Sequence, residues 1–259
     1  MSEAAVSAAR LALRLMDLTR LEADENDSAV RALCRRARTP FGSVAAVCVY
    51  PRFVRAAREA LEAATPAAPV RVATVVNFPQ GQSSPDQVVS EIRDARQAGA
   101  DEIDLVFPWQ SLRQGDAKAG RSLVTAARDA CGDHLLKVIL ETGELADPPL
   151  IREAAEIAID AGGDFLKTST GKVPVNATPE AARILLESIR DSEKVVGCKV
   201  SGGIRTTAQA REYLDLAAEL MGEDWITPSH FRFGASGLLD DLLVTLGGSE
   251  RNDPEADFY

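Results

Sequence analysis

Eight short apolar segments recur along the chain, each followed by a longer stretch of helical spacing, and this alternation restricts the fold more than any other feature. The segments fall at 13–19, 44–50, 70–78, 102–107, 135–141, 165–168, 195–200 and 230–233. Several are nearly all apolar, as in Val44-Ala45-Ala46-Val47-Cys48-Val49-Tyr50, which suits strands covered on both faces. Strands that alternate with helices form a parallel sheet covered by those helices. Eight units of about 30 residues fit a (β/α)8 barrel of roughly 250 residues, and the chain has 259. The expected fold is therefore one α/β domain over 1–259, a (β/α)8 TIM barrel with an extra N-terminal helix at 4–12 and a polar tail from about 247. The rival is a doubly wound open sheet, but no Gly-x-Gly-x-x-Gly turn follows the first strand.

Local signals place the helices between these strands. Ser84-Pro85-Asp86-Gln87 combines a cap, a first-turn proline and the glutamine of a capping box. Thr206 and Gln209 form a second such pair, opening a helix to about 221. Asp147 is read as a cap before Pro148 and Pro149, and Thr178 starts another helix before Pro179. Further helices are expected at 25–38, after Pro51 to 64, at 117–131, and from Leu238.

Register then decides which side chains enter the barrel. Ala98-Gly99-Ala100-Asp101-Glu102-Ile103-Asp104 aligns with Ala161-Gly162-Gly163-Asp164-Phe165-Leu166-Lys167, so Asp104 holds in strand four the place Lys167 holds in strand six. Alternate strands fill the same interior layer of a barrel, which sets the two side chains facing each other. In strand seven, putting Cys198 and Val200 under the helices turns Lys199 inward beside Lys167. In strand five, Leu136, Val138 and Leu140 pack outward and leave Lys137, Ile139 and Glu141 inside. Strand one adds Asp17. A barrel serving structure alone would fill these layers with valine, isoleucine and leucine. Buried ion pairs contribute little net stability, so the cluster points to chemistry.

Two adjacent lysines have a specific use. Burial and a neighbouring ammonium both disfavour protonation, which leaves one amine free to attack a carbonyl. A carboxylate across the barrel can relay protons. Lys167 is the expected nucleophile, and it opens Lys167-Thr168-Ser169-Thr170-Gly171-Lys172, a polar turn that suits an anion.

The net charge of -10 argues against nucleic acid or an anionic membrane as a general partner. An anionic substrate needs a local basic site instead. Three turns offer one: Gly171-Lys172, Gly202-Gly203 and Gly234-Ala235-Ser236-Gly237, after strands six, seven and eight. Their backbone N–H groups can converge on a phosphate, with Lys172 and Arg205 supplying charge. Cys34, Cys48, Cys131 and Cys198 form no Cys-x-x-Cys pair and only His134 and His230 accompany them, too few for a zinc cluster. Scattered in apolar segments, these cysteines read as reduced thiols of a cytoplasmic protein. Neither a signal peptide nor a membrane span is expected.

Several stretches resemble the deoxyribose-phosphate aldolase family. They include Phe165-Leu166-Lys167-Thr168-Ser169-Thr170-Gly171-Lys172, Asp101-Glu102-Ile103-Asp104-Leu105-Val106-Phe107-Pro108 and Gly197-Cys198-Lys199-Val200-Ser201-Gly202-Gly203-Ile204-Arg205-Thr206. Leu15-Met16-Asp17-Leu18-Thr19, Val75-Val76-Asn77-Phe78-Pro79 and Glu141-Thr142-Gly143-Glu144-Leu145 match as well, in order along nearly the whole chain, and the likeness is closest to bacterial members. The resemblance implies a class I aldolase without metal or other cofactor. Such an enzyme cleaves 2-deoxy-D-ribose 5-phosphate reversibly to D-glyceraldehyde 3-phosphate and acetaldehyde. It implies Lys167 as Schiff-base lysine, Lys199 as the lysine that lowers its pKa, and Asp104 as proton-relay carboxylate. Gly171, Lys172, Gly202, Gly203, Gly234 and Ser236 match the phosphate site. Substrate contacts are further expected at Asp17, Thr19, Cys48, Lys137, Thr170 and Arg205, with Tyr259 as a C-terminal tyrosine used in proton transfer by some relatives. Gly237 stands where some relatives have a serine, and Val200-Ser201 replaces a Pro-Ala. A homodimer acting on small phosphorylated sugars and aldehydes is the implied assembly. Another lysine-dependent barrel aldolase or transaldolase, and a non-catalytic sugar-phosphate-binding barrel, are the alternatives.

Overall fold

The computed structural model describes residues 2–63 and 69–247. Its eight long strands are β1 (Met16–Thr19), β2 (Ala46–Val49), β3 (Arg71–Val76), β4 (Glu102–Val106), β5 (Leu135–Ile139), β6 (Phe165–Lys167), β7 (Gly197–Ser201) and β8 (Phe231–Ala235). All neighbours are parallel and follow one another in sequence, and β8 pairs with β1 to close the barrel. The fold is a (β/α)8 TIM barrel, as the alternation predicts.

The first strand begins later than its two-residue alternation suggests. Leu13 and Arg14 belong to the preceding helix, Glu3–Arg14, whose buried face is Ala8, Ala9, Ala12 and Leu13. That spacing has the period of a helix, and burial against the helices Thr207–Met221 and Leu238–Thr245 decides in its favour. At the seventh strand, Val195 is 87% exposed and lies outside β7, which runs on to Ser201 instead. The strand starts at Gly197, where a Cβ would stand 2.5 Å from the Phe165 ring.

Both capping boxes form, at Ser84 with Gln87 and at Thr206 with Gln209. Asp147 does occupy the N-cap of Pro148–Asp160, but its side chain makes no capping bond. Prolines at the first two helical positions leave fewer N–H groups there in need of a partner. Sequence spacing did not anticipate the short helices Trp109–Arg113 and Thr142–Leu145, or the small hairpin of Arg38–Thr39 with Gly42–Ser43. Among the described residues, no helix is long and apolar enough to cross a membrane.

Two apolar clusters divide the interior. The larger lies between the barrel and its helices. The smaller, Leu21, Ala46, Cys48, Ala73 and Val75, lines the barrel at β2 and β3. Seven of the other inward positions carry charge: Asp17, Glu102, Asp104, Lys137, Lys167, Lys199 and Arg232.

Candidate active site

Side chains alternate along a strand, so those that pack outward fix those that point in. Leu136, Val138 and Leu140 join the outer core, as do Cys198, Val200, Phe231 and Phe233. Lys137, Lys199 and Arg232 are thereby turned into the barrel, where all three are buried. Register places Lys167 beside Lys199, Lys199 beside Arg232, and Asp104 beside Lys137.

Asp104 is the hub of the site. Its Oδ1 accepts a hydrogen bond from Lys137 Nζ at 2.7 Å, and its Oδ2 accepts from Lys167 Nζ and Lys199 Nζ at 2.8 Å each. Lys199 also donates to Asp17 Oδ2 at 2.5 Å. Lys137 Nζ lies 2.7 Å from Glu102 Oε2 and 3.5 Å from Asp17 Oδ2. Beneath them, Arg232 donates to Asp17 Oδ1 at 2.5 Å and to Glu102 Oε1 at 3.0 Å.

The lysines part electrostatically. Burial depresses the pKa of Lys167, Asp104 opposes that, and the Lys199 charge adds to it, so Lys167 ends below its ordinary value. Burial also works against the charge of Lys199, but Asp104 and Asp17 together outweigh it and hold that ammonium above its usual range. For Lys137, burial is likewise overcome by Asp104, Glu102 and Asp17. Asp104 feels the converse: burial favours its neutral form, yet three surrounding lysines keep it ionised well below the usual carboxylate range. Asp17 is held low in the same way, by Lys199, Arg232 and Lys137 against its burial. One amine is thus pushed towards the free base while its neighbours stay charged.

Glu141 follows β5 in the left-handed region, with φ 56°. Its carboxylate accepts from Thr170 N at 3.1 Å and from Thr170 Oγ1 at 2.5 Å. Burial raises its pKa against those two bonds. The Thr170 hydroxyl hydrogen is therefore committed to Glu141, leaving only its lone pairs for other contacts. Ser169 Oγ and Thr142 Oγ1 nearby are buried with no partner among the described residues.

The glycine turns stand at the C-terminal ends of β6, β7 and β8. Gly171, Gly202 and Gly203 have φ of 83°, 86° and 85°, where a side chain is disfavoured. A Cβ at Gly234 would meet Ser201 Cβ at 2.6 Å and Lys199 Cε at 3.0 Å, so this glycine makes room for the lysine itself. The N–H groups of Gly171, Gly203 and Ser236 donate to no backbone group among the described residues. Lys172 Nζ reaches this rim 3.7 Å from Glu22 Oε2, and Arg205 is exposed. These are the features of an anion cradle.

Among the other expected contacts, Thr19 Oγ1 donates to Asp17 O at 2.9 Å. Cys48 is buried within the barrel, and burial raises its thiol pKa. Tyr259 lies outside the described residues. Sequence reasoning missed Arg232 and Glu102. The alternation used elsewhere would have found both, because Phe231 and Phe233 flank Arg232 on the opposite face and Glu102 shares the face of Asp104. Among the described residues, no three His, Cys, Asp or Glu side chains gather as a metal site.

Residues 11–242 match the family described as DeoC/LacD family aldolase. A structure from Toxoplasma gondii ME49, provisionally named a deoxyribose-phosphate aldolase, is 29% identical, with a TM-score of 0.88 over 95% of this chain and 99% of that one. A Coccidioides immitis structure with the same provisional name is 29% identical, with a TM-score of 0.80 over 92% and 86% of the two chains. The tetrameric deoxyribose phosphate aldolase of Aeropyrum pernix, 24% identical, shares the fold, with a TM-score of 0.69 over 93% and 97%.

Proposed function

The chain belongs to the DeoC/LacD aldolase family, and within that family we propose that it is a class I aldolase, cleaving 2-deoxy-D-ribose 5-phosphate to D-glyceraldehyde 3-phosphate and acetaldehyde. The observation that carries this reading is the pairing of a buried lysine of lowered pKa, Lys167, with a second lysine of raised pKa, Lys199, on one carboxylate.

The chemistry follows from that arrangement. Lys167 Nζ adds to the C1 aldehyde of the open-chain sugar, and the carbinolamine loses water to give a protonated imine. The imine withdraws the C2–C3 bonding electrons as the C3 hydroxyl gives up its proton to the Asp104 carboxylate, directly or through water. C3 leaves as the aldehyde carbon of the three-carbon phosphate, and the two-carbon fragment stays as an enamine. Protonation at C2 and hydrolysis then release acetaldehyde and restore the amine. Asp104 faces the imine nitrogen as a carboxylate and steadies its charge. Lys199, charged and bonded to the same oxygen, is the proton donor that this carboxylate positions. The N–H groups of Gly171, Gly203 and Ser236, which donate to no backbone group among the described residues, receive the 5-phosphate at the rim together with Lys172.

The experiment is a cleavage assay of 2-deoxyribose 5-phosphate, with release of both aldehydes quantified. One equivalent of each per sugar consumed is expected. Cleavage of other phosphosugars with none of this one would move the reading to a different lysine-dependent aldolase. Phosphate-sensitive binding without turnover would leave a sugar-phosphate-binding barrel. We propose a homodimer in the cytoplasm as its setting, which sedimentation would read as twice the chain mass.

A further inference from the structure

Lys167 is surrounded by charge on several strands. Asp104 on β4 and Lys199 on β7 share an oxygen contact with it, and Lys137 on β5 bonds the other oxygen of Asp104. Asp17 on β1 lies behind Lys199. The Cys48 thiol on β2 and the Glu141 carboxyl after β5 also interact with it electrostatically. None of these touches solvent freely: Lys167 itself is 3% exposed.

Below this layer sits a pair that the proposed chemistry does not use. The Arg232 side chain is 3% exposed and that of Glu102 is 0%. They bond each other at 3.0 Å, and each holds one further member of the site: Arg232 holds Asp17 and Glu102 holds Lys137. Phe165 closes the space beside them, with the guanidinium carbon 5.9 Å from its ring centroid. A bidentate guanidinium is a rigid clamp, whereas the lysines above are flexible point charges. Among the described residues, one outside charge reaches the pair: Arg71 Nε, on a half-exposed side chain, 3.7 Å from Glu102 Oε1. At that exposure solvent screens it.

The charges of the cluster can then be counted. Lys137, Lys199 and Arg232 are matched one for one by Asp17, Glu102 and Asp104, and Lys167 is the odd member. Protonating it would leave one positive charge that no carboxylate of these seven residues matches, away from water, which is unfavourable.

We propose that Arg232 and Glu102 are positioning residues that set the charge balance of the barrel floor, so that the seven-residue cluster is neutral only when Lys167 is unprotonated. Arg232 fixes Asp17 so that Asp17 can keep Lys199 charged. Glu102 fixes Lys137 so that Lys137 can share the load on Asp104. The pair acts through these neighbours and touches no reacting atom. This inference rests on the reading of Lys167 as the nucleophile.

The test uses opposite charge changes at the two positions. Carbamylation of Lys167 by cyanate, followed by mass spectrometry of its peptide across pH, reports its titration midpoint without substrate. Arg232→Gln removes a positive charge and should raise the midpoint by about one pH unit. Glu102→Gln removes a negative charge and should lower it by about as much. Arg232→Lys should weaken the fold yet leave the midpoint in place. The double variant Arg232→Gln/Glu102→Gln, balanced again, should return it to the wild-type value. Shifts in the same direction, or none, would overturn the proposal. So would loss of the fold in both glutamine variants, which would assign the pair to stability alone. Borohydride trapping of wild-type protein with acetaldehyde separates the two readings. If Lys167 is not trapped, the nucleophile assignment fails; if it is trapped while the midpoints do not diverge, only the charge-balance proposal fails.

Discussion

Lys167 and Lys199 donate to one and the same atom, Asp104 Oδ2, each at 2.8 Å. Two ammonium groups cannot share one buried oxygen without strong repulsion, so the pair divides its protonation states. Asp17 settles which way, because it bonds Lys199 and not Lys167. The lysine with two carboxylates stays charged, and the lysine with one becomes the candidate free amine.

Lys199→Leu removes the charge that penalises protonation of Lys167. The pKa of Lys167 then rises, so the acidic limb of the rate profile moves to higher pH and part of the lost activity returns in alkaline buffer. Lys167→Leu should show no such recovery. A pH–rate profile of both variants checks this, and an unmoved acidic limb in Lys199→Leu would contradict it.

Asp104→Asn has two separable consequences. The carboxylate normally raises the pKa of Lys167, so its loss should move the acidic limb to lower pH. Turnover should nonetheless fall roughly 10²–10⁴-fold, the range for a removed acid–base group. The folded protein should also weaken by about 3–5 kcal/mol, since the charged Lys137 and Lys199 lose a shared buried counter-charge. The wild-type carboxylate has a depressed folded pKa, so its stabilisation is present above the unfolded value of about 3.9 and is lost as pH falls through the folded one. Urea denaturation of both proteins from about pH 5 down to about pH 2, a range that runs from above the unfolded value towards the depressed folded one, should show a shallower loss in the variant.

The phosphate rim can be probed without disturbing the barrel floor. Lys172→Met should raise KM for 2-deoxyribose 5-phosphate roughly 10–100-fold, the scale of a charged hydrogen bond, and barely affect unphosphorylated deoxyribose. Gly237 has φ −81° and nothing within 4 Å of a built Cβ, so Gly237→Ser should fold normally. Its added hydroxyl should lower KM for the phosphorylated sugar alone. Gly202→Val is a harsher change, because its Cβ would stand 2.6 Å from Asn176 at φ +86°. Equal losses on both sugars in Lys172→Met would place the lysine outside phosphate recognition.

Prolonged EDTA treatment should leave turnover intact, because the reaction is assigned to an amine and its carboxylate. Activity that vanishes and returns with a divalent ion would contradict that assignment.

Much of this arrangement is legible in the sequence because barrel strands obey a strict two-residue period. Knowing that Val138 and Cys198 face helices is enough to turn Lys137 and Lys199 inward, and the structure shows both there. The offset between Asp104 and Lys167 likewise predicts that they meet, and they bond at 2.8 Å. Strand ends are less legible. Leu13 and Arg14 fit a strand by alternation and a helix by their wider spacing, and packing against two later helices decides between them. Alternation with Phe231 and Phe233 is enough to turn Arg232 inward, but it does not give the partners that meet it there from β1 and β4. Partnership of residues 215 and 130 positions apart is written in topology, not in local pattern.

The central claim is that Lys167 carries the reactive amine, and the direct measurement is reductive trapping. Protein incubated with acetaldehyde and borohydride at neutral pH should gain one ethyl group, found by peptide mass spectrometry on Lys167 and absent from Lys199 and Lys137. Lys167→Leu should gain none at the site. Labelling of Lys199 in place of Lys167, or no stable adduct on wild-type protein that cleaves the sugar, would contradict the account.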